Sequence, residues 1–306
     1  MTDQPMRHAD HILPGQRIKS VTEDPDAPRR VQAILSHPHF RQADQDMDFL
    51  NLDSSRDVRL QLDYQKAQSV LEQQGVEHTI VVFGSTRLSE PVSAQLNVEK
   101  LQRELQTDSD NVELQRCLKV AQRRMAKSHY YNTARELGRL IGTAGVCPED
   151  CRVTLMTGGG PGVMEAANRG AFDVGARSIG LNITLPHEQY PNPYITPELC
   201  FRFHYFAMRK LHFLLRARAL VAFPGGYGTF DELFETLTLI QTRKMSAVPI
   251  VLVGEEYWRR AVDFDYMVEE GVIEPADRKL FWYAETAQDI WQGILEWHQA
   301  NDTPLF

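Results

Sequence analysis

Glu232 is the acidic residue whose setting most invites chemistry. It ends the run Pro224-Gly225-Gly226-Tyr227-Gly228-Thr229-Phe230-Asp231-Glu232, where the apolar stretch Ala219 to Phe223 passes through a glycine turn into an amphipathic segment. Glycines let a backbone turn tightly and leave its amides open, and a helix start adds partial positive charge, so Gly225, Gly226, Gly228 and Thr229 suit a phosphate. A carboxylate beside such a site is electrostatically costly. Two explanations fit the spacing. Thr229-x-x-Glu232 is a capping-box pattern, in which Glu232 closes the helix start. Alternatively, Glu232 or Asp231 stabilises positive charge or orients a water beside a bound phosphorylated ligand.

Arg209, His212 and Arg216 recur at i, i+3 and i+7, sharing one helical face ahead of that strand. A forked, always-charged guanidinium suits phosphate or carboxylate, so Arg209 is read as a ligand or as the group orienting Glu232, against the plainer reading of a surface ion pair. Arg202 and His204 stand at the strand-to-helix transition upstream, and His204 reads equally as acid, base or packed ring. Two more glycine loops end strand-like runs. Gly158, Gly159, Gly160 and Gly162 follow Val153 to Met156, and Gly84 and Ser85, with Thr86 and Arg87, follow Thr79 to Phe83. Neither the Gly158 nor the Gly225 loop has dinucleotide-fingerprint spacing, and no Gly-Lys-Thr or Gly-Lys-Ser marks a P-loop. Loops of this kind at successive strand ends point to a phosphorylated small molecule along the carboxyl edge of a parallel sheet.

The elements that must position these residues alternate. Strands are predicted at Thr79 to Phe83, Val153 to Met156, Ser178 to Ile183, Leu199 to Phe203, Ala219 to Phe223, Pro249 to Val253 and Leu280 to Tyr283. Helical periodicity lies between and around them: Arg56 to Gln74, Val112 to Ile141 as one bent helix or two, Gly162 to Asp173, Tyr205 to Arg216, Thr229 to Gln241, Tyr257 to Glu269 and Ala287 to His298. Alternation of this sort predicts an α/β fold: a Rossmann-like, doubly wound, mostly parallel sheet with helices on both faces and an N-terminal helical extension. Residues 1–75 read as an arm and helical extension, and 76–306 as the Rossmann-like domain that carries the phosphate-binding loops. Leu88 to Asn111 reads as a polar, exposed insertion, and Arg116, Lys119, Arg123, Arg124 and Lys127 as a solvated helix face, with an allosteric anion site as the lesser alternative.

A formal charge of -8 argues against a non-specific nucleic-acid surface while permitting a local basic pocket. No apolar run is long enough to span a membrane, and the acidic N-terminus lacks a signal-peptide core, so a cytoplasmic protein is expected. Cys147 and Cys151 have the spacing of one metal-ligand pair without a second, so no metal is expected and the thiols are read as reduced.

Paired Gly158-Gly159-Gly160-Pro161-Gly162-Val163-Met164-Glu165 and Pro224-Gly225-Gly226-Tyr227-Gly228-Thr229-Phe230-Asp231-Glu232 resemble the two signatures of the LOG family, formerly labelled lysine decarboxylases. Met208-Arg209-Lys210 is similar to the family's Met-x-x-Arg-Lys helix, although here Met directly precedes Arg. Val81 to Ser85 and Tyr130 to Arg135 resemble the longer bacterial members. This resemblance covers roughly residues 76–300. It implies a phosphoribohydrolase that releases free base and ribose 5-phosphate from AMP or a related nucleoside 5'-monophosphate, without metal or cofactor and as a homodimer or larger homo-oligomer. Glu232 and Arg209 match the family's glutamate and arginine. Glu165 is then either a ligand for ribose hydroxyls or a helix cap. A non-catalytic nucleotide sensor or carrier of the same fold is the alternative.

Overall fold

The computed structural model describes residues 19–144, 153–186, 190–303 and 305. Cys147 and Cys151 lie outside the described residues. The chain divides into two compact units, Met1–Gln61 and Leu62–Phe306. In the first, α1 (Ala27–Leu35) and the single turn α2 (Met47–Leu50) are joined through one 3-10 turn, Pro38–Phe40. Polar groups tie this unit together: the Asp46 carboxylate accepts from Phe49 N at 3.2 Å, and Arg59 donates to the carbonyls of Leu50 and Leu52 at 2.5 and 2.6 Å. Its apolar side chains Ile34, Leu35 and Phe49 stay exposed. Helix α3 (Arg56–Gln73) carries the chain across the division and is followed by Gly75 at φ 67°.

The second unit runs β1 (His78–Phe83), α4 (Pro91–Thr107), α5 (Val112–Ala126), α6 (His129–Ala144), β2 (Val153–Thr157), α7 (Val163–Asp173), β3 (Ser178–Ile183), β4 (Cys200–Phe203), α8 (Phe206–Leu215) and β5 (Ala217–Ala222). It continues through α9 (Tyr227–Gln241), β6 (Ile250–Val253), α10 (Glu255–Ala261), α11 (Phe264–Glu269), β7 (Phe281–Ala284) and α12 (Ala287–Ala300). The seven strands among the described residues are parallel, in the order β4-β3-β2-β1-β5-β6-β7. Their unbroken apolar runs follow from burial on both faces. On β1, Ile80 and Val82 face a core shared with Leu137 of α6, Ala167 of α7 and Ile290 of α12. Val81 and Phe83 face the opposite core, with Leu71 of α3, Phe213 of α8, Leu233 of α9 and Trp258 of α10. This is the Rossmann-like, doubly wound arrangement that the alternation predicts, with helices on both faces and a helical extension before it.

Three elements differ in detail. The long helical stretch is two helices, because the Ser128 hydroxyl donates back to the Met125 carbonyl at 2.7 Å and Lys127 leaves helical geometry. Leu88 to Asn111 is largely helical: Pro91 starts α4, which buries Ala94 and Val98. Tyr257 to Glu269 breaks at Val262, whose backbone is extended, and Asp263 then caps α11 by accepting from Tyr266 N at 2.9 Å.

Helices α6 and α7 pack closely because each presents a glycine. A Cβ on Gly138 would stand 2.1 Å from the Ala167 carbonyl oxygen, and one on Gly170 would stand 1.9 Å from that of Arg135. Both obstacles are backbone, so relief requires the helices to separate. Gly170→Ala is expected to cost about 2–3 kcal/mol by forced overpacking, readable as a lowered denaturant midpoint.

Candidate functional site

Strand order reverses direction at the β1/β5 junction. Loops leaving neighbouring strands there diverge, which in an open parallel sheet opens a crevice beyond the carboxyl ends. A cleft of about 1610 Å3 occupies this place, lined by Gly84 and Ser85 after β1, Gly158 after β2 and Gly225 to Thr229 after β5. Arg209 and Phe213 of α8, with Glu232 of α9, form one wall.

Backbone bonds hold the three loops together. Ser85 N donates to the Pro224 carbonyl at 3.0 Å, and Val163 N donates to the Ser85 carbonyl at 3.1 Å. Gly162 permits the second contact, since its φ is 77° and a Cβ there would lie 2.3 Å from Ser85 O. Gly159, at φ 70°, lies against the Asn182 amide, and its N–H donates to Thr157 Oγ1 at 3.0 Å. Asn192 Nδ2 donates to the Gly160 carbonyl at 3.2 Å and to buried Asn168 at 3.0 Å. Gly158 is therefore the loop's contribution to the cleft surface, while Gly159, Gly160 and Gly162 serve the packing behind it.

Helix α9 starts three residues earlier than a Thr229 cap would place it. Gly226 is its N-cap, without a side-chain cap, and Thr229 N donates to the Gly226 carbonyl at 2.9 Å. Glu232 consequently lies in the second turn and closes nothing. Gly225 must lack a side chain because a Cβ would meet Thr229 Oγ1 at 2.1 Å. At Gly226 and Gly228 an added Cβ would meet no described atom within 4 Å, and neither has a positive φ. Packing within the chain therefore does not require glycine at these two positions, which border the cleft where α9 presents its first-turn amides.

Glu232 is 5% exposed. Burial pushes its carboxyl up to about 7, against the pull of Lys210 and Arg209 and with the support of Glu235 and Asp231. Arg209 Nη2 stands 3.7 Å from Glu232 Oε1, and its guanidinium lies 4.8 Å from the Phe206 ring centroid. Burial lowers the Arg209 pKa, opposed by Glu232 and then Asp231. Its Nε is buried and donates to no described atom. The neighbouring Lys210 is otherwise engaged, at 2.8 Å from Asp231 and 2.9 Å from Glu235. A buried carboxyl titrating near neutrality, with an incompletely bonded guanidinium beside it, can exchange a proton with a water and stabilise a nearby cation.

Other candidates are not among the residues that line this cleft. Glu165 accepts from the Tyr131 hydroxyl at 2.9 Å, and Tyr131 in turn approaches Arg169. Arg202 is exposed on edge strand β4, paired in register with Asn182. His204 is exposed, and its N–H and that of Tyr205 donate to Asp63 Oδ2, both at 2.8 Å. None of Glu165, Arg202 and His204 lines the cleft. Conversely, Arg87, Arg123, Arg124, Lys127 and Tyr257 do. The Tyr257 hydroxyl donates to the Gly225 carbonyl, fixing the turn from α10. No spacing signal in the sequence marks that tyrosine, whereas the end of α5 does carry a visible basic run.

Residues 164–294 match a family model described as "Possible lysine decarboxylase", a span that contains both Arg209 and Glu232. Over 186 residues the chain is 28% identical to a "Probable cytokinin riboside 5'-monophosphate phosphoribohydrolase" of Oryza sativa subsp. japonica, covering 58% of this chain and 81% of the relative. A cytokinin riboside 5'-monophosphate phosphoribohydrolase of Arabidopsis thaliana is 28% identical over 181 residues, with 58% and 79% covered. Another from Arabidopsis thaliana is 32% identical over 143 residues, with 45% and 65% covered. At moderate identity and over part of its length, the chain thus shows a family-level match to the LOG phosphoribohydrolases.

Proposed function

We propose that this protein hydrolyses the N-glycosidic bond of AMP or a related nucleoside 5'-monophosphate, giving free base and ribose 5-phosphate. The observation that carries this reading is Glu232, a buried carboxyl held near neutral pKa beside Arg209 and next to the glycine turn opening α9. The similarity to phosphoribohydrolases over the same residues supports it.

In this mechanism the 5'-phosphate rests on the amides of the Gly225 to Thr229 turn, where the start of α9 favours an anion. That remote contact fixes the ribose, and its binding energy serves the reacting centre. As the C1'–N bond opens, positive charge develops on the sugar ring. Ionised Glu232 stabilises that charge and accepts a proton from the water whose oxygen bonds to C1'. The base departs with the bonding electron pair and takes up a proton. Arg209 holds Glu232 or a ribose hydroxyl, using the donor that no described atom occupies.

Gly228→Ala tests the phosphate cradle. The position is helical, open and free of positive φ, so alanine is expected to leave stability unchanged or raise it by about 0.5–1 kcal/mol. A methyl group at the mouth of the turn is expected to weaken nucleotide binding by about tenfold or more. Paired thermal denaturation and AMP titration check both. Unchanged AMP affinity would move the phosphate elsewhere.

A further inference from the structure

The cleft is larger than one nucleoside monophosphate requires: about 1610 Å3, where pockets for small ligands commonly measure roughly 300–1,000 Å3. Among the residues that line the rest of it are four basic side chains. Arg123 and Arg124 from the last turn of α5, Lys127 just beyond it and Arg87 from the loop after β1 all border it. All four are exposed and none forms an ion pair with a carboxylate among the described residues, although the chain carries a formal charge of -8. Glu256, on the same lining, stands 3.5 Å from Arg260 instead. Favourable interaction with the α5 dipole accounts for cations at that helix end, but not for their convergence with Arg87 on one cavity.

A structural chain joins this lining to the proposed phosphate turn. Lys127 Nζ lies 5.1 Å from the Tyr257 ring centroid, and the Tyr257 hydroxyl donates to the Gly225 carbonyl. Lys127 is therefore linked to the glycine turn through one tyrosine side chain.

We propose that the cleft contains a second anion subsite, built by Arg87, Arg123, Arg124 and Lys127, for a phosphate additional to the one at the start of α9. Its ligand class is a nucleotide bearing two phosphoryl groups, whose second phosphate is received by guanidinium and ammonium donors. The placement of the first phosphate rests on the function proposed above, whereas the subsite's own affinity for phosphate does not.

The test is equilibrium titration of the full-length chain and of an Arg123→Ala/Arg124→Ala variant with AMP, ADP, adenosine 3',5'-bisphosphate and inorganic pyrophosphate. At least one of the two doubly phosphorylated adenosines is expected to bind the wild type about tenfold more tightly than AMP, an increment lost in the variant while AMP affinity is retained. An Arg123→Lys/Arg124→Lys variant, which keeps the charge, is expected to retain most of the increment, separating charge from disrupted folding. If the second phosphate adds nothing on the nucleotide but pyrophosphate binds alongside AMP and is lost in the alanine variant, the subsite stands with a separate anion as its source. Pyrophosphate binding lost in that variant, in a protein that neither binds nor cleaves AMP, would sink the proposed function and leave the subsite standing. Equal affinities of wild type and alanine variant for every doubly phosphorylated probe and for pyrophosphate would overturn the subsite.

Discussion

Replacing Glu232 with Gln is expected to reduce base release from a nucleoside 5'-monophosphate by about a thousand-fold, while nucleotide affinity stays within a few-fold of the wild type. The substitution keeps the shape of the side chain, removes its ability to ionise and replaces one acceptor oxygen with an amide donor. Helix capping offers no competing explanation, since α9 begins at Tyr227 with Gly226 as its N-cap and Glu232 sits a turn inside. A carboxylate stabilising cationic ribose acts in the transition state and not on the bound nucleotide, so the loss belongs in kcat and not in KM. Single-turnover rates measured beside equilibrium binding separate the two. A variant that releases base at the wild-type rate would remove Glu232 from the chemistry.

Substitution at the same residue is expected to stabilise the protein, and only above acidic pH. The Glu232 carboxyl ordinarily titrates at 4.5 and is pushed up to about 7 by burial, with Lys210 and Arg209 opposing and Glu235 and Asp231 assisting. Below pH 4.5 folded and unfolded chains both hold the proton, and the group contributes no difference. As pH rises from 4.5 to about 7 the unfolded chain loses its proton first, so wild-type stability falls across this window; above it both states are ionised and the penalty is constant. At about 1.4 kcal/mol per pH unit the full penalty is about 3 kcal/mol. Gln does not titrate. Denaturant unfolding should therefore find Glu232→Gln more stable than wild type by about 2–3 kcal/mol at pH 8 and equal to it at pH 4. Equal stability at both pH values would mean that the buried carboxyl pays no such penalty. A gain in stability with a loss of turnover is what an ionisable group retained for chemistry produces.

The layered fold was legible because the strands announce themselves. Thr79 to Phe83 and Ala219 to Phe223 are apolar on both faces, which only a covered parallel sheet accommodates, and glycine or helix-starting residues follow each. Boundaries were less legible where local bonds compete with periodicity. Ser128 ends α5 through its own hydroxyl, and Gly226 starts α9 with backbone alone, so the Thr229-x-x-Glu232 spacing suggested a cap that does not form. At the site, the residues that converge, Gly84, Ser85, Gly158, Arg209, Glu232 and the Gly225 turn, follow adjacent strand ends or flank β5. Arg202 and His204 read as candidates at a strand-to-helix transition, but that strand is β4, the outermost, three places from β1 in the sheet order; Arg202 lies on it and His204 directly follows it. Arg123 and Arg124 carried the opposite ambiguity. A basic run at a helix end reads as a solvated face, and only the α4–α5 excursion between β1 and α6 brings it to the cleft.

Glycosidic cleavage itself is tested most directly by incubating the wild-type protein with a panel of nucleoside 5'-monophosphates and quantifying free base and ribose 5-phosphate by chromatography. The expected result is equimolar formation of both products from at least one purine nucleotide, abolished in Glu232→Gln. Saturable binding of a nucleotide with no base released from any member of the panel would contradict hydrolysis and leave a nucleotide sensor or carrier in its place.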